Sequence, residues 1–92
     1  MVTQNEERLR VSIGARVREV RLRRNMSQVA VASRIGITQS ALSNYETGKR
    51  ALPLVTLFRL AAILRVPIAD LIALTSRPRR ARRGLSSASS LR

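Results

Sequence analysis

Apolar residues recur at helical spacing from residue 6 to residue 75, and nothing along the chain alternates as a strand would. Leu9, Ile13, Val17 and Val20 form the first stripe, at intervals of four, four and three, which puts them on one face of a helix. Thr3 followed by Glu6 has capping-box spacing and starts this helix early. Gly14, which costs about 1 kcal/mol relative to alanine inside a helix, favours a start nearer Ser12. Asn25-Met26 interrupts the pattern. Ser27 then suits the N-cap of a second helix, from Gln28 to about Ile35, and Gly36 ends it. Thr38 caps a third helix running to about Glu46, which Thr47-Gly48 ends. Pro53 resets the chain before a fourth helix carrying Leu57, Leu60, Ala61 and Leu64. Pro67 suits the first position of a short fifth helix with Ile68, Leu71, Ile72 and Leu74. From Ser76 onward the run RPRRARR-GLSSASSLR has almost nothing to bury and reads as disordered. The expected organisation is all-α: residues 1–11 extend the first helix, 12–75 form a compact five-helix domain, and 76–92 are an Arg/Ser-rich tail.

Charge narrows what such a domain meets. Eighteen Lys and Arg against five Asp and Glu give +13 over 92 residues. Residues 1–75 hold twelve basic and five acidic residues, or +7, and residues 76–92 hold six arginines and no acid, or +6. A basic fold with a basic tail suits a polyanion, either nucleic acid or an anionic membrane surface. The plainer reading is a solvated basic face, and a GC-rich genome would equally give seventeen arginines to one lysine. The chain has no cysteine and no histidine. That removes disulfides, an ordinary zinc site and histidine acid–base chemistry. Five scattered carboxylates assemble no catalytic constellation, so an enzyme is not expected, nor a cofactor, metal or small-molecule ligand. Leu52 to Leu74, the most apolar region, is broken by Arg59, Arg65 and Asp70, short of the roughly 18 apolar residues of a membrane span. Met1 to Glu7 lacks a signal peptide's basic start and apolar stretch. A cytoplasmic, nucleoid-associated protein is expected. Tyr45 and Phe58 are the only aromatics and both sit at core-like spacings, which disfavours single-strand binding by stacking.

The central run SQVAVASRIGITQSALSNYETGK satisfies a demanding steric pattern. Two helices crossing at a tight turn need a small residue where they touch, and Ala32 supplies it. They need a residue tolerant of positive φ four positions later, which Gly36 is. Val31, Ile35, Ile37, Leu42 and Tyr45 fall at inward positions. An ordinary helical hairpin needs these residues too, so the outward face discriminates. A solvated helix usually carries Lys and Glu pairs. Here the third helix presents Gln39, Ser40, Ser43, Asn44 and Thr47, uncharged groups able to hydrogen-bond base edges in a major groove.

These residues resemble the Cro/repressor type of helix-turn-helix, the lambda-repressor-like or xenobiotic-response-element family. The likeness runs from Ile13 to Ile72. It includes Val17-Arg18-Glu19-Val20-Arg21, Ser27-Gln28, Ala32, Gly36, Ser43, Tyr45-Glu46, Gly48-Lys49-Arg50, Pro53 and the closing Leu57…Leu60-Ala61…Leu64-Arg65-Val66…Leu71. The resemblance implies that Gln28, Thr38, Lys49 and Arg50 contact phosphates. It implies that Gln39, Ser40 and Asn44 read bases, with Ser43 and Thr47 touching bases or backbone. It also implies that Arg21 and Glu46 form an internal salt bridge, which makes Glu46 structural. Leu54 and Pro67 depart from the family's usual capping residues, which displaces the expected starts of the fourth and fifth helices. The recognition helix carries no arginine, the commonest guanine contact, and Gln39 and Asn44 suit adenine.

The resemblance further implies a two-fold dimer on a near-palindromic site. Ile68, Leu71, Ile72 and Leu74 exceed what a short terminal helix needs for its own packing, and are the candidate seam. The tail suits phosphates or a narrow minor groove, an acidic partner protein, or a solubilising role alone. The expected function is a sequence-specific double-stranded DNA-binding transcriptional regulator, a repressor acting as a homodimer. The alternative is an antitoxin or partner-binding subunit whose DNA binding is autoregulatory, although the tail offers few apolar anchors for such a protein partner.

Overall fold

Five α-helices follow one another in the computed structural model, which describes residues 3–72: α1 (Gln4–Arg23), α2 (Gln28–Ile35), α3 (Gln39–Glu46), α4 (Leu54–Leu64) and α5 (Ile68–Leu71). The Arg/Ser-rich tail and Leu74 lie outside these residues. Of the two starts left open for α1, the early one is present. Thr3 Oγ1 accepts from Glu6 N at 3.0 Å, and Thr3 N donates to Glu6 Oε1 at 3.2 Å. This reciprocal pair satisfies two of the helix's orphan donors. Ser27 and Thr38 cap α2 and α3 by a single side-chain bond, accepting from Ala30 N and Ala41 N at 3.0 Å each.

Four of the helices end alike. A left-handed residue (Asn25, Gly36, Gly48 or Arg65) turns the chain, and the next N–H reaches back five residues: Met26 to Arg21, Ile37 to Ala32, Lys49 to Asn44 and Val66 to Ala61, at 2.9–3.1 Å. These closures satisfy carbonyls that a helix end otherwise leaves free. At Gly36 (φ +76°) an added Cβ would meet nothing within 4 Å, so glycine is required there for its backbone angle and not for space. Pro53 and Pro67 occupy N-cap positions with extended ψ near 147° and 146°, and no side-chain cap bond. Pro67 is therefore not the first residue of α5 as its sequence context suggests. Its extended ψ keeps it outside the helix, which begins at Ile68.

The core is a single cluster: Val17 and Val20 from α1, Val31, Ala32 and Ile35 from α2, Leu42 from α3, Leu57, Leu60, Ala61 and Leu64 from α4, and Leu71 from α5. Ala32 is almost fully enclosed at the turn, where α2 and α3 pack on one another. Leu71, at 0% exposure, closes the core from below α1 and α4, and Arg16 Nε holds the end of α5 by donating to Asp70 O at 2.7 Å. Of the four residues of the expected seam, Leu71 thus fills the core of its own domain and presents no surface to a partner. Ile68 is half-buried against the core, and of the four only Ile72, at 38%, is exposed among the described residues.

Two more expectations change. Phe58 is not a core residue, being 55% exposed. Leu57, Leu60, Ala61 and Leu64 take the inward side of α4 and leave Phe58 outside with Leu54 and Val55. Leu9 is 41% exposed, because α1 projects one to two turns past the body it packs on, and its stripe becomes fully buried only from Val17.

Candidate nucleic-acid interface

The packing of α1 against α3 sets where the recognition helix lies. Gly14 is buried at this crossing, where an ideal Cβ would stand 2.1 Å from Tyr45 O and 2.9 Å from Glu46 O. No side chain fits there, so the backbones meet directly. About two turns further along α1, Arg21 grips the same end of α3. Its Nε donates to Glu46 Oε2 at 2.6 Å and its Nη2 to Glu46 Oε1 at 3.0 Å, while Nη1 donates to Met26 O at 2.7 Å. Both side chains are buried, Arg21 at 6% and Glu46 at 1% exposure. The fork of two parallel bonds gives this pair its direction as well as its strength.

From Glu46 the hydrogen bonds continue to the surface. Gln28 Nε2 donates to Glu46 Oε1 at 3.0 Å, and Gln39 Nε2 donates to Gln28 Oε1 at 3.3 Å. Gln28 and Gln39 come from the first positions of α2 and α3, and the turn brings them side by side. Each carboxamide has four hydrogen-bonding sites and uses only some of them here. Gln28 retains an N–H at the positive end of α2, where the helix's exposed amide groups favour an anion. Gln39 retains its carbonyl and one N–H, the pair of groups that an adenine edge requires.

The rest of the outward face of α3 is polar and uncharged. Gln39, Ser40 and Thr47 are exposed, and Ser43 and Asn44 are half-buried. Among the described residues the Ser40, Ser43 and Asn44 side chains have no protein partner. Thr47 is engaged, its hydroxyl donating to Ser43 O at 3.0 Å, which leaves only lone pairs and a methyl group for a ligand. Thr38 spends its oxygen on the α3 cap. Lys49 and Arg50 are exposed on the turn after α3, and their backbone N–H groups both donate to Asn44 O, at 2.9 and 3.2 Å. The basic end of the interface is thus tied to the polar face by the main chain.

Residue spacing did not disclose the hydrogen bonds from Glu46 through Gln28 to Gln39, although a glutamine at the first position of both helices was a visible hint. It also missed Arg10, whose Nε donates to Gly48 O at 2.6 Å across 38 residues of sequence. No local pattern announces a contact of that separation. Among the described residues no cluster of His, Cys, Asp or Glu could hold a metal, and no helix is long and apolar enough to cross a membrane.

The helix-turn-helix family profile HTH_3 matches residues 17–71, more than half of the chain. Among solved structures, the restriction-modification controller protein C.AhdI from Aeromonas hydrophila is 33% identical, with a TM-score of 0.64 over 66% of this chain and 92% of that one. The clp gene regulator ClgR from C. glutamicum shares the fold at 23% identity, with a TM-score of 0.69 over 72% of this chain and 86% of its own. No curated protein matches the chain. The α2–Gly36–α3 crossing, the uncharged face of α3 and the profile match agree, and the chain belongs to the helix-turn-helix family of Cro/repressor type, a family of DNA-binding regulators.

Proposed function

We propose that this protein is a sequence-specific repressor that occupies a near-palindromic operator as a homodimer. The observation that carries the reading is Gln39, held at the start of the recognition helix through Gln28 by the buried Arg21–Glu46 pair. A side chain oriented before binding loses less entropy on reaching a base edge. In this reading Gln39, Ser40, Ser43 and Asn44 meet bases, Thr47 contributes its methyl group, and Gln28, Thr38, Lys49 and Arg50 meet phosphates. The described residues carry twelve basic against five acidic groups, a net +7 that favours approach to any duplex.

Size supports the dimer. An eight-residue α3 is about 12 Å long and spans roughly four base pairs, too few to define an operator alone. A two-fold pair doubles the site and places the second recognition helix about one DNA turn away. Ile72, and Ile68 where it emerges from the core, remain available to the seam.

Reading and charge attraction separate cleanly in one experiment. Gln39→Ala or Asn44→Ala is expected to weaken binding to a preferred duplex by about 1–3 kcal/mol while leaving binding to random duplex nearly unchanged. Equal losses on both duplexes, measured by fluorescence anisotropy at fixed salt, contradict direct reading.

A further inference from the structure

The part of α1 before residue 17 lies outside the family match, yet it closes on the C-terminal end of α3 at three points. Gly14 meets the Tyr45 and Glu46 carbonyls. Val11 packs on Gly48 so closely that a Cβ on Gly48 would stand 2.7 Å from Val11 Cγ2 and 2.9 Å from Val11 Cα. Arg10 Nε donates to Gly48 O at 2.6 Å. Gly48 is the left-handed residue (φ +79°) that turns the chain out of α3, and Lys49 and Arg50 follow it directly. The orientation of the Gly48 peptide therefore sets the direction in which these two cations leave the helix.

The bond is well placed to be strong. Arg10 is half-buried beside an open, mostly apolar groove lined by Glu6, Leu9, Ile13, Tyr45, Leu52 and Leu57. Its charge also lies at the negative end of α3, and a hydrogen bond from an ionised donor is shorter and stronger than a neutral one. Lys49 and Arg50 are exposed and carry no side-chain bond among the described residues, so nothing but the backbone fixes their starting direction.

We propose that Arg10 is a positioning residue for DNA binding, acting through the Gly48 carbonyl to hold the turn that presents Lys49 and Arg50 to the phosphates. The inference rests on the reading above that these two residues contact phosphate. Arg10 itself stays on its carbonyl.

Two measurements on the full chain test it, with Arg10→Met as the variant because methionine retains an apolar stem over the groove. Amide hydrogen exchange at Lys49 and Arg50 is expected to accelerate at least about tenfold in Arg10→Met, while the Val17 and Leu60 amides keep their protection. Salt-dependent binding to random duplex supplies the second readout. Lys49→Ala/Arg50→Ala is expected to flatten the slope of log K against log salt by about 1.8, at about 0.9 for each lost contact. Arg10→Met is expected to flatten it by part of that amount, and to remove nothing further when added to the double variant. Arg10→Lys, which retains a donor, falls between wild type and Arg10→Met. Unchanged exchange at Lys49 and Arg50 overturns the proposal. So does a further loss of about 0.9 in the double-variant background, which would make Arg10 a phosphate contact in its own right. An unchanged slope in Lys49→Ala/Arg50→Ala alone overturns instead the reading of those two residues, and the exchange data then decide separately whether Arg10 braces the turn.

Discussion

Replacing Gly14 with alanine is expected to destabilise the domain by about 3 kcal/mol, the upper end of the usual range for overpacking. Helix propensity alone predicts the opposite sign, since alanine is favoured over glycine by about 1 kcal/mol within a helix. The geometry decides between them. The added Cβ would stand 2.1 Å from Tyr45 O and 2.9 Å from Glu46 O, and these are main-chain atoms that no rotamer change can move aside. Relief requires α1 to lift off α3, which also pulls Arg21 away from Glu46. Denaturant unfolding followed by circular dichroism measures the change. Ser12→Ala, at an exposed position two residues earlier in the same helix, is the control and is expected to stay within about 0.5 kcal/mol of wild type. A Gly14→Ala variant as stable as wild type would mean that the α1–α3 crossing is looser than described.

The second large effect belongs to Glu46. Glu46→Ala leaves the Arg21 guanidinium buried without its counter-charge, and is expected to cost about 3–5 kcal/mol. For a domain of this size each 1 kcal/mol lowers the melting temperature by roughly 4–8 °C, so the loss amounts to well over about 10 °C. Removing both partners is a different matter. Arg21→Met/Glu46→Leu leaves no uncompensated charge and is expected to recover much of the stability, because the intact pair's attraction largely offsets its own desolvation. That variant nonetheless leaves Gln28 without its acceptor, so Gln39 loses its support and discrimination between duplexes falls even in a stable fold. Thermal melts of the single and double variants check the first claim, and duplex competition with the double variant checks the second. A Glu46→Ala melt within about 2 °C of wild type contradicts the first claim. Undiminished discrimination in the double variant contradicts the second.

What was legible in the sequence was what local chemistry determines. Ser27, Thr38 and Gly36 mark their helix ends because a cap or a left-handed turn acts within four or five residues, and the bounds of α2 and α3 follow from them. The outward polar face of α3 was equally readable, since eight residues in a helix leave little freedom over which side each takes. Residues whose purpose depends on distant partners were read less well. Gly14 looked like a defect in a helix because Tyr45 and Glu46, the reason for it, are more than thirty positions away. Spacing placed Phe58 and Leu71 on apolar stripes but could not say which edge of a stripe faces inward. The packing of α4 and α5 puts Leu71 in the core and Phe58 outside. Arg21 and Glu46 were paired only through the family resemblance, and nothing in composition or periodicity would have joined them. The same holds for the candidate site: Gln39 and Asn44 were visible as base readers, whereas the support behind Gln39 emerged only once α2 and α3 were folded together.

The central claim is that α3 reads sequence in duplex DNA, and selection of bound duplexes from a random pool tests it most directly. The account predicts enrichment of one motif made of two inverted half-sites, about 34–36 Å apart along the duplex. It also predicts that Asn44→Ala, passed through the same selection, loses preference at defined positions within each half. A bound pool with no enriched motif, retained in proportion to charge and salt alone, would contradict it.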